Sequence, residues 1–151
     1  MRPKGVPIGL QLARTSKIVG RAFNDALAEA GGSLPVWLIL SSLHGGPPAS
    51  QHQLARLVGI EGPTLTRHLD QLEAAGLVRR TPHPDDRRAV QVEPTPAGLA
   101  LHGKLLDVVI GFNRRLTAGL TQTDLNAVRS GLAALEANVR PATDGRLRRQ
   151  R

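Results

Sequence analysis

A mainly α-helical fold carrying one small β-wing is predicted by three features of this 151-residue sequence. Apolar residues recur at spacings of three, four and seven along most of its length, the period of amphipathic helices. Gly and Pro clusters cut that pattern into segments of helical length. Between Leu77 and Glu93 the pattern changes to two short apolar runs around a polar loop, as in a strand pair.

The elements follow in order. Ile8, Leu12, Val19, Phe23, Ala26 and Ala30 place a helix over 8–30, ended by Gly31-Gly32. Ser33 is an N-cap, and Pro35 is tolerated in the first turn of a helix over 34–43 that carries Val36, Trp37, Ile39, Leu40 and Leu43. Gly45-Gly46-Pro47-Pro48 is a breaker. Ser50 and Gln53 form a capping-box pair that opens a helix with Leu54, Leu57 and Val58 on its apolar side, closed by Gly59. A helix over 61–75 follows, with Leu65, Leu69 and Leu72 on one stripe and Gly76 as its stop. Residues 77–81 and 89–93 read as two strands around the loop Pro82–Arg88, and Pro94 predicts an early end to the second. Thr95-Pro96 opens a long helix. Thr121 caps a last one, with Asp124 in its first turn, and Leu125, Val128, Leu132, Leu135 and Val139 form a packing seam along it. Residues 141–151 are a basic tail.

Bulk properties narrow the function. The chain has no cysteine, which excludes disulfides, thiolate metal sites and a thiol redox switch. No apolar run approaches the ~20 residues needed to cross a bilayer. The N-terminus lacks an unbroken apolar stretch, so no signal peptide is expected and a cytoplasmic location is. Five scattered histidines form no H-x-x-x-H pair, and no P-loop, G-x-S-x-G or G-x-G-x-x-G is present. Neither an enzyme nor a metal or cofactor site is therefore expected. The net charge of +8 favours polyanionic partners. It is unevenly placed: residues 50–93 hold six basic and six acidic residues, and the excess lies on the flanks.

The order of elements from Ser50 to Gly98 carries the function. Helix, Gly turn, second helix and strand pair are the parts of a winged helix-turn-helix, which sets one helix in a DNA major groove and a basic loop beside it. On the second helix, Arg67 lies opposite the leucine stripe, flanked by Thr64 and Thr66. Arginine can make a bidentate contact to guanine, and threonine can meet phosphate or a thymine methyl. Arg87 and Arg88 stand at the loop tip, where a narrow minor groove attracts guanidinium groups. Ser50 and Gln51 lie at a helix N-terminus, which suits phosphate.

The segment resembles the winged helix of the MarR family of transcriptional regulators. The wing pattern Asp86-Arg87-Arg88, Val90, Val92 and Thr95–Gly98 carries the likeness, and IEGPTLTRHLDQLEAAGLVRR (60–80) is most similar to the SlyA branch. The resemblance implies a homodimer held by the first and last helices, bound to double-stranded DNA and acting as a repressor. Arg67 would read a base, Arg87 would enter the minor groove, and Asp86 would pair with Arg88 or a neighbour to brace the wing. It also implies a small, often aromatic anion as effector, for which Arg14, Arg21, Phe23 and Trp37 are the candidate residues.

Overall fold

The structure is a computed structural model that describes residues 5–47 and 49–140. The basic tail read over 141–151 lies outside the described residues. Among the described residues six helices and three strands follow in the order α1 (Ile8–Glu29), α2 (Leu34–Leu43), β1 (Ala49–Ser50), α3 (Gln51–Val58), α4 (Gly62–Ala74), β2 (Val78–Pro82), β3 (Val90–Pro94), α5 (Pro96–Leu116) and α6 (Gln122–Val139). The chain divides into two compact units, one ending at Asn113 and the other beginning at Arg114.

The first unit is built on one apolar cluster. Leu27 of α1, Ile39, Leu40 and Leu43 of α2, Leu54 of α3, Leu65, Leu69 and Leu72 of α4, Val78 and Val92 of the sheet and Leu105 of α5 are all buried. The leucine stripe of α4 therefore faces inward, which turns Arg67 outward. The turn between α3 and α4 depends on Gly59, whose φ of 70° favours glycine and whose N–H bonds the Ala55 carbonyl at 2.9 Å. The predicted capping box is present: Ser50 Oγ accepts from Gln53 N–H, and Gln53 Oε1 accepts from Ser50 N–H.

The sheet has the order β1-β3-β2 and is antiparallel throughout. β1 was not legible in the sequence, because a two-residue strand has no period. The expectation that Pro94 shortens the second strand is corrected: β3 runs to Pro94, which pairs with Val78. β1 covers only Gln91 and Val92, so β3 has an open edge at Pro94, where proline is tolerated.

Three rings stack in this unit. His102 of α5 is buried and lies 5.2 Å from the Trp37 ring on one contact and 4.2 Å from the His44 ring on another. Burial, and secondarily the nearby His44, lowers the His102 pKa below the usual imidazole value. The unfolded chain then binds a proton more readily than the folded one, so stability present above about pH 6.5 falls as the pH drops through that value. Urea midpoints at about pH 7.5 and pH 5.5 are expected to differ less for His102→Gln than for the wild type. Equal differences would contradict the assignment.

The second unit contains α6. Thr121 caps it: Thr121 Oγ1 accepts from Asp124 N–H at 3.2 Å, and Asp124 Oδ2 accepts from Thr121 N–H at 2.8 Å. The Thr121 hydroxyl and N–H hold the Asp124 carboxyl below its usual range. None of the α6 residues is buried, and Val139 is 80% exposed. Apolar side chains on α1 and α5 are exposed too, among them Ile8, Ile18, Leu106 and Ile110.

Candidate nucleic-acid interface

The outer ends of α3 and α4 and the foot of the wing enclose a cleft of about 620 Å³. Ser50, Gln51, Thr66 and Arg88, four of the residues singled out in the sequence, line it. Arg56 lines it as well and was missed by the sequence reading. Its signal was present, since it stands in the last turn of α3 off the Leu54 side. The lining carries no carboxylate, although residues 50–93 are formally neutral.

That separation has a local cause. The β2 arginines take up three of the six acidic residues. Arg79 pairs with Glu93 directly across the strands. Arg80 Nη2 reaches Asp70 Oδ1 at 2.6 Å and Glu73 Oε1 at 3.0 Å, and its backbone N–H donates to Glu73 Oε2 at 3.0 Å. The Arg80 hydrogen bonds hold the Glu73 carboxyl below its usual range. Both acids lie on α4, so Arg80 also ties the wing to that helix. Arg56, Arg67, Arg87 and Arg88 make no ion pair among the described residues.

The remaining predicted residues fall as follows. Arg67 is exposed and Thr64 half-buried on α4, both outside the cleft lining. The Thr66 hydroxyl is engaged within the protein: it donates to the Gly62 carbonyl at 3.0 Å and accepts from Gln51 Nε2 at 2.6 Å. This bond joins α3 to α4. Asp86 Oδ1 accepts from the Arg88 backbone N–H at 2.9 Å, and Arg87 is exposed beside it. Arg14 and Arg21 line a groove along α1 with Lys17 and Asp25. Phe23 packs on Phe112, with ring centroids 4.9 Å apart, and Trp37 on His102. The four effector candidates are thus split between a charged helix face and two packed ring contacts. Among the described residues no group of three or more His, Cys, Asp or Glu is placed to hold a metal.

The wing root is closed onto α5 by Thr95 and Gly98. Thr95 Oγ1 donates to the Gly76 carbonyl at 2.5 Å and accepts from Gly98 N–H at 3.1 Å, while Thr95 N–H donates to the Leu77 carbonyl at 3.1 Å. The Thr-x-x-Gly run is therefore both a helix start and a clasp on the α4–β2 turn.

Known proteins share this architecture. Residues 33–90 match the model of the MarR family. The transcriptional repressor CouR bound to a 23-mer DNA duplex is 29% identical, with 86% of this chain and 92% of that chain covered and a TM-score of 0.78. CouR from Rhodococcus jostii bound to p-coumaroyl-CoA is 26% identical over 89% and 95% of the two chains, with a TM-score of 0.74. The M. tuberculosis transcriptional regulator MOSR in complex with DNA is 26% identical over 88% and 96%, with a TM-score of 0.71. The match is to the family as a whole and does not single out the SlyA branch. The helix-turn-helix and most of the wing, residues 33–90, thus match the MarR family of winged-helix transcriptional regulators, and the three-stranded sheet agrees with that fold.

Proposed function

We propose that the protein is a homodimeric repressor that binds a pseudo-palindromic operator. The observation that carries this reading is a concave face, lined by Arg56 and Arg88 and without carboxylates, flanked by the exposed Arg67 and Arg87. Arg67 contacts guanine in the major groove, with Thr64 and the methyl of Thr66 beside it. Arg87 enters the minor groove and Arg88 supports it at the wing foot. Ser50 and Gln51 bring phosphate to the N-terminus of α3, where the helix dipole favours anions. Asp86 fixes the wing through the Arg88 N–H.

The dimer is supported by exposed apolar side chains within each unit, on α1 and α5 in the first and on α6 in the second, each of which suits a partner contact. Two winged helices double the contacts and match an inverted repeat. Arg14 and Arg21 are the anion-facing groups of an effector site, and Phe23 and Trp37 enter it only as packing. CouR bound to p-coumaroyl-CoA supports a small-molecule effector of this kind. The protein catalyses no reaction and works in the cytoplasm on the nucleoid.

Selection of bound genomic fragments by the purified protein, with sedimentation of the protein alone, tests the proposal. An enriched inverted repeat and a two-chain species are expected. Binding without sequence preference would instead indicate an architectural role. Arg80→Met is expected to weaken binding to the enriched duplex several-fold, because it bares Asp70 and Glu73 beside Arg67. Unchanged affinity would show that those carboxylates lie away from DNA.

A further inference from the structure

The wing loop contains a histidine that the roles above leave unused. His83 is half-buried at the start of the loop, between Pro82 and Pro84. Its backbone N–H donates to the Ala89 carbonyl at 2.9 Å and closes the base of the loop. Its ring Nδ1 accepts from the Asp85 N–H at 3.1 Å. A bond from a side chain at one position to the N–H two residues on is the Asx-turn pattern, normally supplied by Asp or Asn. Pro84 restricts His83 to extended backbone, as an Asx-Pro turn requires.

On the far side of the tip, the Asp86 carboxylate accepts from the Arg88 N–H, and the Asp86 carbonyl accepts from the Ala89 N–H at 3.0 Å. Arg87 is therefore bracketed by two backbone donors that side chains hold in place, Asp85 by the His83 ring and Arg88 by the Asp86 carboxylate. We propose that His83 is a positioning residue for the wing: its Nδ1 presets the tip so that Arg87 meets the minor groove without an ordering step on binding. This rests on the wing contact proposed above.

The test measures affinity and salt slope for the enriched operator duplex with wild type, His83→Ala, His83→Asn, Arg87→Ala and the Arg87→Ala, His83→Ala double variant. His83→Asn keeps an acceptor at the same distance along the side chain, and His83→Ala removes it. His83→Ala is expected to bind about fivefold more weakly, with an unchanged melting temperature. His83→Asn is expected to stay within about twofold of wild type, and His83→Ala to add nothing in the Arg87→Ala background. Wild-type affinity in His83→Ala, beside a weakened Arg87→Ala, would overturn this inference alone. An equal loss in His83→Asn would overturn it too, because the ring itself would then be the DNA contact. Wild-type affinity in Arg87→Ala would overturn the wing contact and this inference with it.

Discussion

Replacing Arg67 and Arg87 together by alanine is expected to lower operator affinity by about a thousandfold or more at moderate salt. The size follows from the chemistry of each contact. A bidentate arginine–guanine pair supplies about 1–3 kcal/mol of discrimination, and a two-fold dimer makes it twice. Arg87, in the minor-groove role proposed for it, would add a charge contact whose loss lowers the salt slope by about one per wing. The two single variants should therefore differ in kind. Arg67→Ala should relax preference at one base pair in each half-site, while Arg87→Ala should weaken all sequences alike and flatten the salt dependence. Folding should be spared, because both side chains are exposed and make no ion pair among the described residues. Changes at such surface positions stay within about 0.5 kcal/mol. Anisotropy titrations at several salt concentrations, beside melting curves, separate these outcomes. Affinity of the double variant within about threefold of wild type would mean that neither arginine reaches DNA.

Much of this architecture was legible because its determinants are local. The Ser50–Gln53 box and the Thr121 cap, with Asp124 in its first turn, each lie within four residues, and both form. The α4 leucine stripe repeats along one helix, and its burial sets the direction of Arg67. The unread features involve residues that meet only after folding. Arg80 finds Asp70 and Glu73 because β2 folds back along α4, and no spacing rule marks that pair. Trp37 of α2, His44 just after it and His102 of α5 come together across more than fifty intervening residues of sequence. Formal neutrality of residues 50–93 was misleading for the same reason. A charge count cannot show that three of the acids sit beside Arg79 and Arg80 while the cleft lining keeps Arg56 and Arg88. Asp86 shows a finer limit: the resemblance implies a pairing with Arg88 or a neighbour, and the bond found runs to the backbone N–H of Arg88.

Gly98→Ala is expected to be the most damaging single methyl in the first unit. A Cβ at Gly98 would lie 2.0 Å from the Leu77 carbonyl oxygen, far inside van der Waals contact, and the obstacle is backbone that cannot rotate away. Relief requires the start of α5 to move off the α4–β2 turn by about an ångström or more. That movement strains the clasp in which Thr95 bonds the Gly76 and Leu77 carbonyls. Overpacking of about 1–3 kcal/mol and two weakened hydrogen bonds of about 1 kcal/mol each give a loss of about 3–5 kcal/mol. For a chain of this size the melting temperature should fall by about 10 °C or more. Gly111, later on the same helix, meets nothing within 4 Å at its Cβ position. There the substitution only removes the excess backbone freedom of a helical glycine, and Gly111→Ala should stabilise by about 0.5–1 kcal/mol. One substitution made twice on α5 should thus act with opposite signs. Helix propensity alone would raise stability at both sites, so a stable Gly98→Ala would remove the Leu77 contact as the reason for glycine at the wing root.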